Sequence, residues 1–117
     1  MELNEAERES LVIKARRYAL SMGNIDAPYA KAMTAGVISF DDLYHLGLVS
    51  EASSFVLEKK FTDGRLSKEI EKDPCIEKYG FEIAAKILNS TTEKFEEKVY
   101  EIHRKVTEYQ NRQLEKK

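Results

Sequence analysis

Residues Thr91 to Lys117 read TTEKFEEKVYEIHRKVTEYQNRQLEKK, and within them Phe95, Val99, Ile102, Val106 and Tyr109 recur at intervals of four, three, four and three. That rhythm belongs to a helix with one narrow apolar seam, the kind that lies along another helix. Glu101 with Lys105, and Glu108 with Arg112, place opposite charges at i,i+4 in the favourable order, each adding a few tenths of a kcal/mol. A helix of 25 residues spans about 37 Å, more than a domain of this length needs. The seam therefore either packs on the chain's own core or pairs with a partner, most simply a second copy. Beyond Tyr109 it gives way to Gln110, Asn111, Gln113 and a closing Lys pair, which predicts a fraying end.

Upstream of this helix, Ser90 followed by Glu93 has the spacing of an N-capping box. Asp73-Pro74 predicts the start of the preceding helix, because a cap residue followed by Pro in the first turn is a favoured pairing. Ile76, Tyr79, Ile83, Ala84, Ile87 and Leu88 give that helix a broad apolar face. Gly80 inside it costs about 1 kcal/mol relative to Ala, so a close helix crossing or a break is expected there.

At the other end, Asn4 and Glu7 form a capping box ahead of Leu11, Ala15, Tyr18 and Met22, which predicts a helix over 4–22 closed by Gly23. Three short helices are expected in between. Asp26 opens the first and Gly36 ends it; Ser39 and Asp42 box the second, which Gly47 ends; Ser50 caps the third. Thr62-Asp63-Gly64 signals a turn, and Leu66 and Ile70 suggest further helical turns. No segment alternates apolar and polar residues as a strand would. The chain reads as all-α, one domain over 1–117, a small bundle of about five to seven helices with long N- and C-terminal helices.

The 117 residues suffice for a core without disulfide or metal staples. Composition, at 42% hydrophobic and 34% charged, is that of a globular chain and not a disordered one. Nineteen basic and twenty-one acidic residues leave a formal charge of −2, so no global field draws in phosphate polyanions or anionic lipid. The single cysteine, Cys75, excludes an intramolecular disulfide, and its place at a helix start fits a half-buried thiol. The first residues lack the pattern of a signal peptide and no apolar run approaches membrane-spanning length, so a cytoplasmic chain without a membrane partner is expected.

No residue set has the spacing of a catalytic centre, a phosphate loop or a nucleotide fingerprint, and no cofactor is implied. Asp42 and His45 stand at i,i+3, which can put two metal ligands on one helix face, but two histidines without a Cys pair make a weak donor set. No metal site is therefore expected. Ala32-x-x-x-Gly36-Val-Ile-Ser39 resembles the turn of a helix-turn-helix DNA reader. In such a reader Asp41 and Asp42 would face phosphate with the wrong sign, whereas both suit a helix N-terminus. Lys14, Arg16 and Arg17, with Lys59, Lys60 and Arg65, are the cations available to a nucleic-acid contact, if the two groups meet in space. The expectation is a non-catalytic helical interaction or assembly protein, a homodimer or a small subunit of a larger complex. Its predicted surface is Phe95, Val99, Ile102, Val106 and Tyr109, with Leu11, Ala15 and Tyr18 as the internal competitor for that seam. The alternative is a nucleic-acid-binding accessory subunit or a helix-turn-helix-like regulator.

Overall fold

Reciprocal hydrogen bonds start the first helix: the Glu7 amide donates to Asn4 Oδ1 at 2.8 Å, and the Asn4 amide donates to Glu7 Oε1 at 3.1 Å. The computed structural model of the protein describes residues 3–25, 27–62 and 74–115, with side chains omitted at 25, 27, 60–62 and 74–77. Among them lie five helices and no strand: α1 (Glu5–Ile25), α2 (Ala27–Thr34), α3 (Phe40–Thr62), α4 (Pro74–Ile87) and α5 (Thr92–Glu115). The fold is an all-α bundle. Asp26, the turn at 63–64, Arg65, Leu66, Ile70 and the Asp73 cap lie outside the described residues.

α3 is the central element. It packs along α1, and both α4 and α5 lie on it. Leu11, Ala15 and Ala19 of α1 and Leu43, Leu46, Leu48, Ala52 and Val56 of α3 are buried together. The two helices run antiparallel, with Lys59 beside Glu7 and Gly47 over Ala15. Gly47 does not end a helix, and Ser50 does not cap one; α3 is continuous through both. A Cβ at Gly47 would stand 2.5 Å from the Ala15 carbonyl oxygen, so the missing side chain is what lets the two backbones approach. Gly80 has the same role where α4 crosses α3 at Ser53. Gly23 also lies within its helix, beside the Met33 methyl of α2, and α1 runs on to Ile25.

Two helices do end on left-handed residues. Gly36, at φ 77°, closes α2: its amide donates to the Met33 carbonyl at 3.0 Å and Val37 donates to Ala32 at 2.9 Å. Asn89, at φ 54°, closes α4 with the same pair of bonds, Asn89 to Lys86 at 3.1 Å and Ser90 to Ala85 at 2.9 Å. α5 then starts one residue later than the Ser90 box predicts, because Thr91 Oγ1 accepts the Lys94 amide at 3.2 Å while Ser90 Oγ turns to the Thr91 carbonyl.

Candidate functional site

The predicted seam of α5 faces inward. Phe95, Val99, Ile102 and Val106 are buried and Tyr109 is half-buried against the same core, so these five are packing residues of the chain itself and not its open interaction surface. The 4-3 spacing is shared by a helix that lies on its own bundle and one that lies on a partner, and here the core supplies the mate. Lys105 pairs with Glu101 at 3.3 Å as its spacing predicts. Glu108 instead pairs with Arg104 at 2.9 Å, and Arg112 Nε reaches only the Glu108 carbonyl at 3.4 Å.

An aromatic row crosses the molecule through Phe95. The His45 ring stacks on Phe95 at 5.9 Å, Phe81 meets Phe95 edge-on at 6.0 Å, and Tyr100 follows Phe81 at 6.4 Å. Tyr44 continues the row beyond His45, with the Arg16 guanidinium 5.9 Å from its ring. Burial raises the Tyr44 hydroxyl above its ordinary pKa, and nearby Arg16 opposes that shift. The row ends at the surface on Tyr100, which is 58% exposed.

Tyr100 forms one end of an open groove of about 610 Å³ between α4 and α5. Phe81 is its apolar floor; Glu82, Glu93 and Glu96 line it, with Lys78 as the lone cation among the described residues. Glu93, Glu96 and Tyr100 stand at i, i+3 and i+7, a single face of α5 beside the buried seam.

Asp42 and His45 are not poised as a ligand pair. His45 Nδ1 lies 2.7 Å from the Asp41 carbonyl. The Asp42 carboxylate accepts the Ser39 amide at 2.9 Å and pairs with Lys98 at 3.2 Å. Burial pushes the Asp42 carboxyl up, but the Ser39 amide and the Lys98 ammonium outweigh it and hold it below its ordinary pKa. Among the described residues, no three His, Cys, Asp or Glu side chains gather as a metal site would require. The Cys75 thiol lies outside the described residues.

Among the described side chains, Lys14, Arg16 and Lys59 do not gather into one patch. Lys14 and Arg16 are two residues apart and point about 200° apart around α1. Lys14 lines a shallow α1–α3 groove with Glu7, Glu51 and Glu58, whereas Arg16 leans on Tyr44. Lys59 pairs with Glu7 at 3.3 Å and sits over the Phe55 ring, and the Lys60 side chain lies outside the described residues. Helix α3, which the helix-turn-helix resemblance would send into DNA, has its middle buried between α1 and α4 and its first turn exposed at Phe40 and Asp41.

No known family model, curated protein or solved structure matches this chain. The surface itself therefore carries the functional reading. On α1, Ile13 is 49% and Leu20 57% exposed, with exposed Arg17 between them on the side away from the core. Sequence reading passed over both features, although the signals were present. Ile13 and Leu20 are one heptad apart and off the Leu11–Ala15 stripe, and Glu93, Glu96 and Tyr100 are off the α5 seam. Each is a second stripe on a helix whose first stripe was the stronger. Among the described residues, no helix is long and apolar enough to cross a membrane.

Proposed function

We propose that the protein is a non-catalytic helical subunit that joins protein chains, as a self-associating unit or as a small component of a larger assembly. The observation that carries this reading is the outward face of α1, where two large aliphatic side chains project into solvent a heptad apart while the opposite face supplies the core. Anchors at i and i+7 are how a helix presents itself to a groove on another protein. The polar interior favours the same reading: among the described residues, every buried side-chain nitrogen or oxygen has a hydrogen-bond partner. A site built for chemistry tends to hold strained or unpaired polar groups.

The test compares the wild-type chain with the double variant Ile13→Glu/Leu20→Glu, using solution mass by light scattering and crosslinking in a cell lysate. Loss in the variant of self-association, or of a defined protein crosslink, with circular dichroism unchanged, is the expected result. Identical mass and identical crosslinks for the two proteins would sink the reading.

A further inference from the structure

We infer that the outward face of α1 docks into the α4–α5 groove of a second copy, so that copies join head to tail. The inference rests on the proposed function and gives it an occupant.

The first argument is charge. Among the described residues, the groove sets Glu82, Glu93 and Glu96 against one cation, Lys78. The face of α1 offers Arg17 between Ile13 and Leu20, with Arg16 on its flank and exposed Glu9 one turn before Ile13, so its cations outnumber its acid by one. Opposite potentials on two surfaces of one chain steer copies together and fix their register. The second argument is length. Ile13 to Leu20 and Glu93 to Tyr100 both span seven helical residues, about 10.5 Å each, so the two stripes are commensurate. The third is chemistry. An exposed tyrosine ring over an apolar floor accepts aliphatic side chains, and its face attracts a guanidinium.

The two surfaces lie on different helices, so the contact is heterologous. Each docking leaves one face and one groove free, which yields a closed ring or a growing chain and not a two-fold dimer. One helix face in one groove falls below the roughly 1,200 Å² of a stable complex, so the association is weak, concentration-dependent and sensitive to salt.

Light scattering on the full-length chain tests this with two variants, Arg17→Glu and Glu96→Arg, each checked for unchanged helicity. The wild-type mass should rise with concentration and fall as salt is added. Each variant alone should bind itself about tenfold or more weakly. An equimolar mixture of the two variants should regain association, since the wild-type α1 of one fits the wild-type groove of the other and the two reversed charges complement each other at the alternate contact. Self-association that survives either substitution would overturn the surface assignment and leave self-assembly standing. A wild-type chain that stays monomeric throughout would overturn the head-to-tail contact and make the partner of α1 a different protein.

Discussion

Asp42 shows how one side chain can serve three constraints. It is 8% exposed, it closes the capping box of α3 with Ser39, and it receives Lys98 from α5. Replacing it with Ala should cost about 1–2 kcal/mol in urea unfolding, from the lost cap and the amide left unpaired. Because the folded carboxyl titrates below its unfolded value, its contribution is complete at neutral pH and is lost as pH falls below about 4. The wild type should therefore lose stability more steeply than Asp42→Asn in that range, as read from urea midpoints against pH. The Ser39–Asp42 box was legible because it is local, three residues of spacing and two side-chain types. Lys98 was not, because nothing in a local pattern reveals which distant cation the fold brings over.

At the scale of elements, the glycines decide how the helices meet. Gly47→Ala adds a methyl against backbone, the Ala15 carbonyl, which cannot step aside, and should destabilise by about 1–3 kcal/mol. Gly23→Ala adds one against the end of Met33, a flexible thioether 3.0 Å away, so the helix-propensity gain of up to about 1 kcal/mol should leave it near neutral or slightly stabilising. Thermal melts of the two variants, compared with wild type, check the ordering. In the sequence, Gly23, Gly36 and Gly47 look alike, each at the end of an apolar stripe. Only Gly36 ends a helix; the other two admit a neighbour. Local propensity cannot separate these roles, since close approach is a property of two segments and not of one, and this is why α3 was expected as two short helices. At Gly80, set within a long apolar stripe of α4, the sequence allows a crossing or a break, and the structure shows the crossing.

For the whole molecule, the decisive finding is the direction of the α5 seam. Val99 is buried among the other helices, so Val99→Glu places a carboxylate in the core at several kcal/mol, comparable with the roughly 5–15 kcal/mol that holds a domain together. The expected outcome is loss of the helical circular dichroism signal; a folded variant would mean the seam is open. The last turns of α5 behave differently. Gln110 to Glu115 are all exposed, Leu114 included, so ending the chain at Gln110 should change the urea midpoint by no more than about 0.5 kcal/mol in stability. Fold class and the starts of the long terminal helices were legible to within a residue, because period and capping are written along the chain; the end of α1 was not, since Gly23 lies inside it. Which face of a helix meets the core, and which is left over, depends on how the helices pack together.

The left-handed turn after α4 also bears on how the protein ages covalently. Asn89 is exposed and followed by a small residue, Ser90, the setting in which an asparagine side chain is attacked by the next backbone nitrogen and deamidates through a cyclic imide. Here that nitrogen is committed, its hydrogen donated to the Ala85 carbonyl at 2.9 Å. Deamidation at Asn89 must wait until the end of α4 opens. The slow accumulation of modified Asn89, followed by peptide mass mapping during storage, would serve as a chemical clock for the fraying of that one helix end.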